Sequence, residues 1–140
     1  MNALPPLLVR AATLAEILPV RVAGLHPGEP IDIVRIANDA EGSHWAIEAE
    51  GMVVSVASLF TEGERVQLRK FATLPAWQGR GIGTWLLAAL IEEARRRGGR
   101  IFWCNARVNA LAIYLRAGLE PEGERYEKDG RLYQRMSRTL

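Results

Sequence analysis

Gln78-Gly79-Arg80-Gly81-Ile82-Gly83-Thr84 is the segment best suited to chemistry. It follows residues 66–73, which read as a strand, and runs into residues 85–97, which read as a helix. A glycine-rich turn between strand and helix leaves backbone N–H groups without side-chain cover. Those groups and the positive end of the helix dipole form a seat for a phosphate or pyrophosphate. Spacing narrows the ligand. A dinucleotide fingerprint would place a third glycine where Thr84 stands and an acid about 20 residues on, where the chain offers Arg100, Cys104 and Asn105. A phosphate loop ending in Gly-Lys is excluded, because the sequence contains no such pair.

What remains is Q-x-x-G-x-G, from Gln78 to Gly83. Further on, Ala110-Leu111-Ala112-Ile113-Tyr114-Leu115-Arg116-Ala117-Gly118-Leu119 reads A-x-x-x-Y-x-x-x-G-[FL]. Together the two blocks resemble those of the GCN5-related N-acetyltransferase (GNAT) family. The resemblance covers residues 66–119 and is loose before Trp45; the terminal hairpin with Gly123-Glu124-Arg125-Tyr126 is similar to a small bacterial branch of that family.

The resemblance implies an acyl-CoA N-acyltransferase fold and acetyl-CoA as co-substrate. It assigns the backbone of Phe71, Ala72 and Thr73 to pair with the pantetheine arm like an added strand. It assigns Gln78, Gly79, Arg80, Gly81, Ile82, Gly83 and Thr84 to the pyrophosphate, with Arg80 a candidate for the 3′-phosphate. Asn105 and Asn109 are further cofactor candidates. The family's usual Asn position, seven residues before the Tyr, holds Arg107, and Asn109 also reads as a helix cap.

Acetyl transfer from a thioester to an amine requires a proton donor for the leaving thiolate and a neutral amine. Tyr114 is the candidate catalytic acid: the family places a Tyr there, and a phenol with a reference pKa near ~10 is protonated at neutral pH. No base stands out. The strand before the glycine turn carries Gln67, Arg69 and Lys70 but no acid. Glu48, Glu50, Glu124, His44, water and an amine arriving neutral all stay open. Cys104 sits in an apolar run and reads as an inert core thiol.

The elements that must position these groups follow from pattern. Residues 7–11 read as a strand. Thr13 and Glu16 form a capping box for a helix from Leu14, which Pro19 would interrupt or kink. Residues 31–37 read as a short helix. Residues 45–60 form a hairpin turning at Glu50-Gly51. Gly98 ends the long helix. Residues 101–104 suit a strand buried on both faces, and residues 109–117 a short helix stopped by Gly118. Asp129-Gly130 marks a final hairpin. Strand, helix and strand across residues 66–104 make a parallel pair. The expected class is α+β: a mixed, largely antiparallel sheet with one central parallel βαβ pair and helices on both faces.

Length and charge bound the rest. The chain has 140 residues, 49% hydrophobic, which suits a single domain over residues 1–140. Residues 1–10 lack a signal-peptide pattern, and no apolar run is long enough to span a bilayer. With a single cysteine, a cytoplasmic setting without membrane contact is expected. Net charge is +2, yet residues 65–100 hold eight Lys/Arg against Glu92 and Glu93. Such a segment suits an anionic cofactor. The acidic remainder and the lack of a recognised motif argue against nucleic acid. Expected partners are a small-molecule or protein amine acceptor, with residues 21–44 on the acceptor side and a homodimer as an open alternative to a monomer. The competing function is a non-catalytic acyl-CoA-binding or sensing domain.

Overall fold

The computed structural model describes residues 7–140. Most of the leader reading, on residues 1–10, therefore lies outside the described residues. Among the described residues, eight strands form one sheet: β1 (Leu8–Ala11), β2 (Ser43–Ala49), β3 (Met52–Glu62), β4 (Arg65–Thr73), β5 (Ile101–Arg107), β6 (Glu120–Pro121), β7 (Tyr126–Lys128) and β8 (Arg131–Thr139). Their spatial order is β1-β2-β3-β4-β5-β8-β6, with β7 also paired to β8. Every pairing is antiparallel except β4 with β5. The α-helices among the described residues, α1 (Leu14–Leu25), α2 (Ile82–Arg96) and α3 (Leu111–Arg116), complete the mixed α+β architecture.

A helix covers each sheet face. Leu86, Leu87, Leu90, Ile91 and Ala94 of α2 bury against Ile47, Ala57, Leu59, Val66 and Phe102. Ile17 and Val20 of α1 bury against Ala46, Val56 and Ala72 from the opposite side. The Thr13–Glu16 capping box is present at the start of α1. Pro19 does not interrupt α1, which runs unbroken to Leu25. Proline in a helix interior costs ~3 kcal/mol, and the burial of Ile17, Leu18 and Val20 outweighs that cost here.

Three further expectations are corrected. Helix α2 begins at Ile82 rather than Trp85, with Gly81 capping it at φ 82°. Ile82 is buried, so anchoring this side chain draws the last residues of the turn into the first helical turn. The helix expected at residues 31–37 is only a 3₁₀ turn, Ile31–Val34. It stops because the Asp39 carboxylate accepts from the Ile36 N–H at 2.8 Å, offering the backbone a competing partner. Strand β5 is fully buried on one face only, through Phe102, Cys104 and Ala106. Its other face is covered by arginine: the guanidinium groups of Arg65 and Arg135 lie 5.5 and 4.7 Å from the Trp103 ring centre.

Two irregularities shape the centre of the sheet. The β4–β5 register runs from Arg65↔Ile101 to Leu68↔Cys104 and stops, although β4 continues to Thr73 and β5 to Arg107. Past that point the strands part and leave a wedge. On its other edge β4 shifts register against β3 between Arg69 and Ala72, placing the extra residues Lys70 and Phe71 opposite Ala57. Lys70 adopts φ 53°, a left-handed conformation rarely tolerated outside glycine. Such bulges re-aim side chains and are found next to active sites.

Candidate active site

Two cavities of about 540 Å³ each open into the wedge. Leu25, Phe71, Arg107, Ala110 and Tyr114 line both. One extends toward the glycine turn and is lined by Ala72, Thr73, Gln78, Gly83 and Asn109. The other extends under the β7–β8 hairpin and includes Asn105. The two asparagines therefore face different cavities. Neither behaves as a cap: Asn109 lies in a 3₁₀ turn before α3, whose N-terminal flank is Ala110 without a side-chain bond.

The glycine turn presents an unusual run of backbone donors. The first α2 hydrogen bond is Trp85 N–H to Gly81 C=O at 3.0 Å, and among the described residues no N–H from Gly79 to Thr84 has a backbone partner. Gly79 and Gly81 hold φ 75° and 82°, so a substitution strains the turn even though the space beside each is open. Gly83 is tighter, since a Cβ there would stand 3.3 Å from Phe71 and Ile113. The exposed Gln78 side chain folds back along the chain, its Nε2 donating to the Thr73 C=O at 2.9 Å and tying the turn to the end of β4. The Arg80 guanidinium stacks 4.9 Å from the Trp77 ring centre, beside the turn. Thr84 is exposed. This cradle of unpaired N–H groups at a helix start fits a pyrophosphate.

Ser55 fixes the neighbouring strand end: its hydroxyl lies 2.9 Å from that of Thr73 and donates to the Ala72 C=O at 3.2 Å. Tyr114 is 8% exposed and meets Phe71 edge-on at 6.2 Å between ring centres. Burial pushes its phenol pKa above the ordinary value, with a smaller push from Cys104, so the phenol stays protonated. Burial also pushes the Cys104 thiol up to about 12, consistent with an inert core thiol.

The hairpin-side cavity holds the titratable groups that sequence reasoning missed. His26 lines it, with Nδ1 2.8 Å from a Glu29 carboxylate oxygen. Burial lowers the His26 pKa below 6.5; Arg107, Arg131 and Lys70 lower it further, while Glu29 raises it. Five cations line the same cavity: Arg69, Lys70, Arg107, Lys128 and Arg131. The Arg107 Nη2 donates to the Leu25 C=O at 3.1 Å, joining β5 to the end of α1. The base candidates read from sequence lie elsewhere. His44 sits between the Ser58 hydroxyl at 2.6 Å and the Asp39 C=O at 2.9 Å. Glu48 pairs with Arg10 at 3.2 Å, Glu50 occupies a turn at φ 54°, and neither they nor Glu124 line either of these two cavities. A histidine in the loop that ends a helix was the one legible signal for His26.

The basic segment 65–100 divides by partner. Arg95 pairs with Glu92, Arg96 and Arg97 with Glu93, and Arg100 with Glu64. Arg69 and Lys70 line the hairpin-side cavity, leaving Arg80 as the cation at the glycine turn. Among the described residues, no group of three or more His, Cys, Asp or Glu could hold a metal ion, and no helix is long and apolar enough to cross a membrane.

The family model described as "Acetyltransferase (GNAT) domain" matches residues 33–140. The chain is 28% identical over 131 residues to the uncharacterized N-acetyltransferase YitI of Bacillus subtilis (strain 168), covering 87% of this chain and 88% of that protein. In fold it is similar to the IAA acetyltransferase from Bacillus cereus ATCC 14579, with a TM-score of 0.79, 18% identity, and coverage of 96% and 100% of the two chains. It is also similar to a GNAT family acetyltransferase from Elizabethkingia anophelis solved with acetyl-CoA bound. There the TM-score is 0.76 at 14% identity, covering 96% of this chain and 98% of that one.

Proposed function

The chain belongs to the GNAT acetyltransferase family, and from that premise we propose that it acetylates a primary amine, using acetyl-CoA, by direct attack in a ternary complex. The carrying observation is that the cavity beside the glycine turn and the cavity beside His26 share Tyr114. A donor and an acceptor entering from opposite ends of the wedge would meet there.

Acetyl-CoA supplies the activated acetyl group. On the chain's side, the free N–H groups from Gly79 to Thr84 bind pyrophosphate, with Arg80 beside them. Residues 71–73 at the parted edge of β4 hold the pantetheine arm. His26, neutral at pH 7 because its pKa is lowered, accepts the proton that the attacking amine loses. Glu29, with a carboxylate oxygen 2.8 Å from Nδ1 but out of line for a hydrogen bond, stabilises the charged form of the ring by its charge. Tyr114 gives its proton to the departing sulfur. One C–N bond forms, one C–S bond breaks, and the products are an amide and a free thiol.

The competing reading of a binding or sensing domain rested on the missing acid of β4. A histidine-carboxylate pair in the second cavity supplies the proton acceptor from another element and favours turnover. The test is calorimetry with CoA followed by thiol detection over an amine panel. Sub-millimolar CoA binding with thiol release is expected, and Gly81→Asp should abolish that binding in a folded protein. Binding without turnover of any amine returns the sensing reading, and absence of binding removes both.

A further inference from the structure

We infer that the amine acceptor is a small molecule that also carries an anionic group, a carboxylate or a phosphate, which the hairpin-side cavity holds through Arg69, Lys70 and Arg131. This inference rests on the acetyltransferase reading above and adds the acceptor's class.

The cavity is lined by five cations and only two carboxylates, Glu29 and Asp129. Glu29 already stands against His26. Among the described residues, none of the five cations has a carboxylate oxygen within 4.0 Å. Arg69 and Lys70 are half-buried. Their pKa values are pushed down first by burial, and for Lys70 next by Arg69. A cation taken partly out of water and set beside others is costly unless an anion answers it. The Asp39 charge acts on both from a distance but is engaged by Arg21, Arg69 has besides only the Phe60 ring at 5.9 Å, and no carboxylate pairs with either cation, so the answering charge arrives with a ligand.

The cofactor does not account for the cluster. The glycine turn that fits pyrophosphate borders the other cavity through Gln78 and Gly83, whereas Arg69, Lys70, Lys128 and Arg131 border only this one. The same field disfavours polycations and serves the chemistry. Positive charge around the acceptor lowers the pKa of its ammonium and favours the neutral amine that His26 must produce. The volume of about 540 Å³ suits a small molecule.

The experiment compares matched amines on the full chain: 4-aminobutyrate against butylamine, and O-phosphoethanolamine against ethanolamine, scored as kcat/KM from thiol release. The anionic member of at least one pair should be preferred by tenfold or more, and the pair that shows it identifies carboxylate or phosphate. In Lys70→Met and Arg131→Met variants the ratio within that pair should shrink toward one. Turnover with no preference for the anionic member overturns the inference. Should none of these amines react, binding decides: with CoA saturating, inorganic phosphate or malonate should bind wild type and not a variant combining Lys70→Met with Arg131→Met. Equal binding to both proteins, or to neither, also overturns the inference. Loss of CoA binding or of all turnover would count against the acetyltransferase reading, a separate result.

Discussion

Arg21 and Lys70 are both cations withdrawn from water, and their surroundings differ in kind. Arg21 is fully buried, yet its guanidinium meets the Asp39 carboxylate at 2.9 and 3.0 Å, the Ser58 hydroxyl at 2.9 Å and the Val34 C=O at 2.9 Å. Asp39 is 5% exposed, and its carboxyl pKa is lowered because the bonds from Arg21 and the Ile36 N–H outweigh the raising effect of burial. This network ties α1 to the 3₁₀ segments and to β3, and so places the loop carrying His26. Lys70 sits in a strained bulge at the wedge with no such partner. In the first cluster the fold answers the charge and both Nη groups, with the Arg21 Nε left unpaired; the second is left for a ligand to complete. Polar groups completed by the protein report on stability when changed, whereas those facing a cavity report on function.

The largest expected effect turns Arg21 into the second kind. Asp39→Ala strands a buried cation and should cost about 3–5 kcal/mol of folding stability, measured by chemical denaturation. A paired Arg21→Met, Asp39→Leu replacement should recover most of that loss. A mild effect of Asp39→Ala alone would show that the network is not what holds α1 in place.

Tyr114→Phe should lower kcat by about 10- to 1,000-fold while acetyl-CoA affinity is retained, because the ring stays and only the donor leaves. Full turnover on an established acceptor would put Tyr114 with the structural groups. Lys70→Met should raise KM for an anionic acceptor by about tenfold, or ~1.4 kcal/mol. Its melting temperature should hold or rise, since the substitution removes repulsion from Arg69 without breaking a pair. A stability loss comparable to that of Asp39→Ala would erase the distinction between the two clusters.

The smallest effect concerns pH. The folded-state pKa of His26 lies below its ordinary 6.5, so the unfolded chain binds that proton more tightly than the folded one. Its contribution to stability is therefore present above pH 6.5 and is lost as pH falls through the lowered value. The acid limb of kcat/KM should have its midpoint below 6.5, and His26→Gln should remove that limb. A midpoint above 6.5 would point to another proton acceptor.

Much of the local fold, the glycine turn included, was legible because it depends on neighbours in the chain. The capping box of Thr13 and Glu16, the left-handed turn at Asp129-Gly130, the C-terminal Gly98 and the glycine turn before α2 are each decided within a few residues. The parallel pair followed from strand, helix and strand in succession. Errors arose where tertiary packing overrode local preference: Pro19 stayed inside α1, Ile82 drew the helix start forward, and Asp39 ended a turn that periodicity alone would extend.

The hairpin-side cavity could not be read that way. Its cations come from β4, β5, β7 and β8, and its histidine and glutamate from the loop after α1. In sequence, Arg69 and Lys70 belong to the same basic run as Arg80, a run that as a whole suits an anionic cofactor. In the fold the wedge separates them, because β4 and β5 part after Leu68 and Cys104 and the terminal hairpin closes over the opening. Sequence alone therefore determined the backbone cradle, whose donors depend on glycine conformation and a helix start. Tertiary structure decided which charges share a cavity, because Coulomb interaction depends on distance through space and on exclusion of water, and both are set only when strands distant in the chain are packed together.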